Sequence, residues 1–265
     1  MLIIRLVPRP KPPPSKLEGL LADLPPQLKN VGVLMESTYP NVRRRTADIM
    51  GRLRDKRALP ILLASMRDPE LSVRKAVVRA LGELGDSAPV PYLVEILQDV
   101  NQFPRREAAW ALGRIHDPRS IPALMQAMDD RDPWIRSAAA EALGEIRAEE
   151  AVDLLLNFLR DYSWFVRRQT VLALGKIGDQ YAISAILGRL YDDYPEVRGI
   201  AAISLAMLNA VDTIEDMIPF LQDISVQITG ETVSANVATA LLALGVDPAE
   251  YGYTEISVSH TQDES

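Results

Sequence analysis

One arginine recurs every 31 residues along this chain through six consecutive copies, without a single insertion. The positions are Arg43, Arg74, Arg105, Arg136, Arg167 and Arg198. A constant period of this length is typical of repeat proteins, in which each unit buries its apolar face only against its neighbours. The spacing therefore predicts a stack of similar units before any local propensity is considered.

Two further columns of residues keep the same period. Eight positions after each arginine stands a small residue; the set is Gly51, Gly82, Gly113, Gly144, Gly175 and Ala206. Six positions before each arginine, from the second unit on, stands an aspartate; the set is Asp68, Asp99, Asp130, Asp161 and Asp192. Ser37 takes that place in the first unit. Because a partly buried arginine needs an anionic partner, we predict that the arginine and aspartate columns bond to each other and are structural.

Each unit contains two segments with helical periodicity. In one unit the apolar residues are Leu59, Leu62, Leu63 and Met66, followed by Val73, Val77, Ala80, Leu81 and Leu84. This spacing predicts two amphipathic helices per unit. A turn residue followed by proline opens the second helix at Tyr39-Pro40, Asp132-Pro133 and Tyr194-Pro195. The first helices are predicted to start at Asp55, Asp86, Asp117 and Asp179.

The domain organisation follows from this period. We predict a Pro-rich N-terminal extension over residues 1–23, a solenoid over 24–250 and a polar acidic tail over 251–265. The predicted units are 24–54, 55–85, 86–116, 117–147, 148–178 and 179–209, followed by a degenerate cap over 210–250. In the cap Thr229 stands where the next arginine is due, and the Ala243-Leu244-Gly245 sequence arrives eight residues late.

The repeated unit resembles a known family. Its pattern Asp-Pro-x-x-x-Val-Arg-x-Ala-x-x-Ala-Leu-Gly, followed by Asp-x-x-Ala-x-Pro-x-Leu, is similar to HEAT-like repeats of the phycobilisome-lyase type, most closely at Arg105 to Gly113 and Arg136 to Gly144. The resemblance implies an all-α fold, a right-handed α-solenoid of six to seven helical hairpins. It also implies that the repeated arginine and aspartate bond between neighbouring units.

Charge and composition restrict the class of function. Residues 1–54 carry ten lysines and arginines against four acidic residues, whereas residues 179–265 carry two against fourteen. Nucleic acid is not expected as a partner, because extended phosphate binding needs basic residues along the whole surface. The chain has no cysteine and no apolar run long enough to span a membrane, and a cytoplasmic protein is the simplest interpretation.

The sequence gives little support for catalysis. Its two histidines, His116 and His260, are far apart and have no nucleophile set nearby. It contains no Gly-rich phosphate loop and no metal-ligand spacing, so neither a catalytic residue nor a metal or other cofactor is predicted.

The second helices also define a stripe that faces solvent. If Val73, Val77 and Leu81 face the core, positions two before each arginine and one, two and five after it lie on the opposite side. In HEAT-like solenoids this side is concave. The stripe is aromatic at the centre of the stack. The predicted partner- or ligand-binding groove consists of Phe103, Arg106, Trp110, Trp134, Trp164, Phe165, Arg168 and Leu172.

Two interpretations of these aromatic residues remain open. An exposed apolar patch usually marks a contact site, and tryptophan and arginine often dominate binding energies. Alternatively, the rings fold back against the preceding hairpin as helix-entry staples and serve stability alone.

Three functions are compatible with the groove interpretation. The broadest is a non-catalytic scaffold that holds another protein, during assembly or cofactor loading of that partner. The resemblance implies a second, a bilin lyase-related subunit or chaperone for phycobiliproteins; such a protein would contact an open-chain tetrapyrrole, whose carboxylates suit Arg106 and Arg168. The third is an accessory factor in iron-sulfur cluster assembly, in which the partner supplies every thiolate.

Overall fold

The chain folds into an all-α, right-handed solenoid. The computed structural model describes residues 25–99 and 104–254, together with Gly19. Within them, seven short first helices alternate with seven longer second helices. The first helices are Pro26–Gly32 (α1), Leu59–Ala64 (α3), Val90–Gln98 (α5), Ile121–Ala127 (α7), Val152–Phe158 (α9), Ile183–Leu187 (α11) and Ile214–Met217 (α13). The second helices are Pro40–Leu53 (α2), Leu71–Leu84 (α4), Arg105–Ile115 (α6), Pro133–Ile146 (α8), Trp164–Ile177 (α10), Pro195–Met207 (α12) and Val233–Ala243 (α14).

The helices begin at the prolines and aspartates that the sequence predicted. Helices α2, α8 and α12 begin at the predicted prolines Pro40, Pro133 and Pro195. Asp55, Asp117 and Asp179 each accept a hydrogen bond from the backbone N–H two residues later, which opens a short 3₁₀ turn before the first helix. These aspartates satisfy amides that have no partner inside the helix.

The core lies between the two layers of helices. One apolar position of the first-helix segments is buried in every unit; its members are Met35, Met66, Leu97, Met128, Leu159, Leu190 and Leu221. Val73, Val77 and Leu81 of α4 are fully buried opposite them, as the helical periodicity predicted. The repeat therefore builds one continuous core along the stack.

The second helices approach one another through the small-residue column. A Cβ atom added to Gly144 would lie 2.6 Å from the Cα of Ala173 on the next second helix. Gly113 and Gly82 have the same relation to Ala142 and Ala111, at 2.8 and 2.7 Å. Successive second helices contact one another along the whole stack, whereas successive first helices make few contacts with each other. The stack is therefore tighter on the second-helix side and curves towards it, which makes that layer the concave face.

A ladder of salt bridges joins the units. Five of the repeated arginines bind an aspartate 25 positions further along, on the next unit. The pairs are Arg43–Asp68, Arg105–Asp130, Arg136–Asp161, Arg167–Asp192 and Arg198–Asp223. In the pair formed by Arg136, Nε and Nη2 reach the two carboxylate oxygens at 2.7 and 2.9 Å. This two-point geometry fixes both the distance and the angle between neighbours.

Within their own units, five of the repeated arginines also donate to a backbone carbonyl: Arg43, Arg74, Arg136, Arg167 and Arg198. Nη1 of Arg136 donates to the carbonyl of Asp130 at 2.8 Å, and Nη1 of Arg74 donates to that of Asp68 at 2.8 Å. One guanidinium therefore ties the turn before its own helix to the carboxylate of the next unit. Asp99, the remaining predicted member of the ladder, ends α5 beside residues 100–103, which lie outside the described part of the chain.

The pairing of residues 25 positions apart accounts for the two positions that break the period. The partner of Ser37 would be residue 12, which is a proline and not an arginine, so Ser37 has no cation to neutralise. The carbonyl of Ser37 still accepts from Nη1 of Arg43 at 2.7 Å. At the other end, Thr229 replaces an arginine whose partner, one unit later, would be Thr254 rather than an aspartate.

Three of the ladder carboxylates have a lowered pKa in spite of their burial. Burial would raise the pKa of Asp192, but the hydrogen bonds from Arg167 and from the Tyr194 amide outweigh it and hold the pKa below its usual range. The same balance lowers the pKa of Asp68 and Asp223. The stabilisation from these groups is therefore present above the unfolded-state pKa of about 3.9 and is lost as the pH falls through the lower folded-state value.

The last unit contains an inserted segment, which in the sequence is visible only as the late position of Ala243-Leu244-Gly245. Residues 224–232 form a short hairpin between α13 and α14, with an isolated antiparallel bridge from Val226 to Thr232. The amide of Gly230 donates to the carbonyl of Gln227 at 2.9 Å and closes the turn. The hairpin accounts for the late Ala243-Leu244-Gly245 sequence, and it lies on the second-helix side of the solenoid.

The predicted Pro-rich extension and nearly all of the polar tail fall outside the described residues, as does His260. The domain bounds derived from the period therefore stay a prediction. None of the helices in residues 25–99 and 104–254 has the length and apolar composition needed to span a membrane.

The glycine column makes a prediction about packing. Gly144→Ala places a methyl group against the backbone of Ala173, so we expect α8 and α10 to be pushed apart and the protein to lose about 1–3 kcal/mol of unfolding free energy. Urea denaturation measures this loss. Gly188→Ala is the matched control, because Gly188 has φ −60° and no atom within 4 Å of an added Cβ. Equal midpoints for the two variants would contradict the close approach.

The ladder makes a second prediction. Arg136→Ala leaves the buried Asp161 carboxylate without its cation, and we expect a loss of about 3–5 kcal/mol in unfolding free energy. Arg119→Ala is the control. Its salt bridge to Asp117 is on the surface, where solvent screens the charges and such pairs contribute little to stability. A loss from Arg136→Ala no larger than that from Arg119→Ala would show that the ladder does not hold the units together.

Candidate groove on the concave face

The candidate site begins at the first turn of α8. The side chain of Asp132 accepts a hydrogen bond from the Trp134 amide at 2.9 Å, and Pro133 occupies the first turn. This cap starts the helix so that Trp134 lies two positions before the ladder residue Arg136. Arg136 points into the stack and is 5 % exposed, whereas Trp134 is 54 % exposed.

The aromatic residues form a continuous stack across three units. The ring of Trp134 stacks on that of Phe165, with centroids 4.3 Å apart and planes at 21°. Phe165 meets Trp164 edge to face at 5.8 Å, and Trp164 stacks on Tyr194 at 5.7 Å. Trp164 is half-buried against the core, but Trp134 and Phe165 rest mainly on each other. Such pairs contribute about 0.5–1.5 kcal/mol beyond the area they bury.

Two arginines flank this stack. The guanidinium carbon of Arg106 lies 5.3 Å from the centre of the Trp134 ring, within the range of a cation–π contact. Arg168, one turn after Phe165 on α10, donates from Nη1 to the amide oxygen of Gln169 at 2.8 Å. The floor of the groove is thus aromatic and its two flanks are cationic.

The inserted hairpin supplies the remaining wall. Gln227, Ile228 and Thr229 line the same hollow of about 440 Å³ as Trp134, Phe165 and the two arginines. The hairpin is held there because the amide of Ile228 donates to a carboxylate oxygen of Glu196 at 3.2 Å. A Cβ added to Gly199 would lie 2.7 Å from the side-chain nitrogen of Asn236 and 2.8 Å from that of Gln227, so a larger residue there would displace these two side chains.

The structure brings five of the eight predicted groove residues together around this hollow: Arg106, Trp134, Trp164, Phe165 and Arg168. Trp110 lies beside a separate hollow of about 410 Å³, where Arg79 stands 5.9 Å from its ring. Leu172 is half-buried and lines neither hollow. Phe103 falls in residues 100–103, outside the described part of the chain.

Sequence reasoning missed three parts of the site. The segment that contains Gln227, Ile228 and Thr229 was predicted only to lengthen the last unit. No local sequence pattern places these residues over α8 and α10. Glu196 follows Phe165 by one period but is acidic, and Tyr194 follows Ser163 by one period, so neither continues the aromatic and cationic positions of the predicted groove. The signal available was Gly199, a glycine in mid-helix where the neighbouring units carry larger residues.

Titratable side chains in the described residues do not assemble into a metal site. No group of three or more His, Asp or Glu there is placed to hold an ion. His116 ends α6 in the left-handed region at φ 58°, and its Nδ1 lies 2.9 Å from the carbonyl oxygen of Arg114. This position is that of a helix cap.

The fold defines a helical repeat protein. HEAT repeats match the chain over residues 30–106, 90–167, 122–206 and 152–242. These stretches cover most of the sequence, so the chain belongs to the HEAT-repeat family. No curated protein matches the sequence.

Several solved structures share the fold. The complex of CpcE and CpcF of phycocyanin lyase from Nostoc sp. PCC7120 is 21 % identical, covers 84 % of this chain and 97 % of its own, and has a TM-score of 0.56. The Escherichia coli protein YibA is 19 % identical, with 89 % and 88 % covered and a TM-score of 0.59. Kap95p in its complex with RanGDP is 16 % identical, with 88 % and 36 % covered and a TM-score of 0.60. At these identities the similarity concerns the fold.

The exposure of the aromatic stack makes a third prediction. Trp134→Ala removes one stacking contact and one cation–π contact at an exposed site, so we expect it to lower the unfolding free energy by about 1–2 kcal/mol, less than the loss expected for Arg136→Ala. Trp164→Ala removes a half-buried ring from the core and is expected to cost about 2 kcal/mol or more. Thermal denaturation of the two variants compares them. A loss from Trp134→Ala as large as that from Arg136→Ala would favour the staple interpretation and remove the proposed site.

Proposed function

We propose that this protein is a non-catalytic scaffold that binds another protein in its concave groove and assists assembly or cofactor loading of that partner. The observation that carries the proposal is the Trp134–Phe165 stack, which lies in a groove with an arginine on either side. A half-exposed tryptophan at the centre of a concave surface is costly to leave in water and typical of a contact site.

The distribution of charge supports a protein partner. The first two units are basic and the last units are acidic, so a partner with the opposite polarity would be steered into one orientation along the groove. A nucleic acid would be repelled by the acidic half, which begins at the end of the groove where Glu196 lies.

Affinity capture tests the proposal. The wild-type protein and a Trp134→Ala, Phe165→Ala double variant are immobilised and exposed to a lysate of the source cells, and retained proteins are identified by mass spectrometry. We expect one partner to be retained by the wild type and lost by the double variant. Tyr181→Ala is the matched control, because Tyr181 is an aromatic residue 73 % exposed at the start of a first-helix segment.

The outcome against the proposal is specific. If the double variant keeps its fold by circular dichroism and retains the same partner as the wild type, the groove is not the binding surface. If Tyr181→Ala loses the partner and the double variant does not, the first-helix layer takes that role.

A second function is favoured by the shape and charge of the groove. A flat aromatic floor between two guanidinium groups suits an open-chain tetrapyrrole with two propionates, and the Nostoc phycocyanin lyase complex has the same fold. Under this alternative the chain is a bilin lyase-related subunit or a chaperone for phycobiliproteins. Phycocyanobilin should then shift its visible spectrum on mixing with the wild type and not with the double variant. An unchanged spectrum with the wild-type protein would reject this alternative.

A further inference from the structure

The cations on the concave face differ in whether they are neutralised. One position after the ladder arginine, four of the first five units carry a cation: Arg44, Lys75, Arg106 and Arg168. The first two have carboxylate partners, since Arg44 lies 3.5 Å from Asp48 and Lys75 lies 3.5 Å from Glu107. Within the described residues, neither Arg106 nor Arg168 has a carboxylate within 4.0 Å.

Arg106 and Arg168, the two cations without a carboxylate partner, border the aromatic stack. Arg106 lies over Trp134, and Arg168 lies one turn beyond Phe165. Between them, in the same column, stands Ser137, which is buried and uncharged. Trp134 and Phe165 lie one helical turn before this column, so a chain lying in the groove meets both cations and, beside them, the apolar floor.

The carboxylates of the groove do not neutralise these arginines. Glu196 accepts the hairpin amide of Ile228, which fixes it at the far wall. Glu141 lies one turn beyond Ser137 on α8, away from the aromatic column. Both repel a ligand carboxylate from the wall and the middle of the groove, and so direct it towards the flanks.

The spacing of the arginines sets the length of the occupant. They hold the same helical position two units apart, and packed helices are about 8–10 Å apart, so the axes of α6 and α10 are separated by about 16–20 Å. An extended polypeptide covers this distance in about five or six residues. The apolar stack lies beside this path, on α8 and α10.

From this arrangement we infer that the groove recognises an acidic segment of a partner protein, which lays an apolar or aromatic side chain on the Trp134–Phe165 stack and carboxylates on Arg106 and Arg168. The inference rests on the proposed scaffold function and specifies the chemistry of the partner. The stack supplies the anchoring contact, and the two arginines select the sign of charge on either side of it.

Synthetic peptides test the inference. The probe is a dye-labelled 14-residue peptide with a central Phe-Leu pair and three glutamates on each side, measured by fluorescence anisotropy. Its controls carry glutamine or lysine in place of glutamate. We expect the glutamate peptide to bind about 5- to 30-fold more tightly than the glutamine peptide, as two surface ion pairs allow. The preference should shrink as salt is raised.

Charge reversal provides the second arm. An Arg106→Glu, Arg168→Glu double variant should lose the glutamate peptide and gain the lysine peptide. Arg160→Glu is the matched control, because Arg160 is exposed on the first-helix layer, outside the groove, and its reversal changes the net charge without touching the site. It should leave the preference for the glutamate peptide within about two-fold of the wild type.

The results separate the inference from the function on which it rests. Equal binding of the three peptides, with all of it lost in Trp134→Ala, overturns the acidic partner and leaves the scaffold proposal standing. Binding of none of them to the wild type overturns the inference as well. Loss of the natural partner in the Trp134→Ala, Phe165→Ala variant, measured by affinity capture, then decides the scaffold function independently.

Discussion

The salt bridge between an arginine of one unit and the aspartate 25 positions later sets the geometry of the whole molecule. The guanidinium bonds the turn that precedes its own helix and both oxygens of the next carboxylate. Neighbouring units are thus held at one separation and one angle. Removing either member would leave an unpaired charge in the stack, which is far more costly than the loss of a surface pair.

Close packing of the second helices depends on that register. The glycine column meets the alanine column of the next unit only if successive helices do not slide, because a Cβ at Gly144 would already collide with the backbone of Ala173. Tight packing on this side curves the stack and turns the second-helix face into a groove. The ladder and the glycines together therefore create the concave surface on which the aromatic residues lie.

The side chains that line the groove are not the ones that hold the units together. Arg136 faces inward and is fully engaged, while Trp134, two positions earlier on the same helix, faces outward and rests on Phe165. The same first turn of a repeat helix therefore carries a structural residue and a surface residue side by side. This division lets the exposed positions differ from unit to unit while the stack remains regular, which is how a repeat scaffold acquires a distinct contact surface.

The sequence by itself determined the period, the two helices of each unit, their starting prolines and aspartates, the ladder and the core columns, because each depends on spacing that every unit repeats. It also placed Arg106, Trp134, Phe165 and Arg168 on one stripe with Trp164 adjacent, since helical geometry fixes which positions share a face. Only the tertiary structure decided that Trp110 and Leu172 lie outside the hollow and that the hairpin around Ile228 closes it. Those facts depend on contacts between segments more than 30 residues apart, such as the bond from Ile228 to Glu196, and no periodic pattern encodes a contact that occurs once.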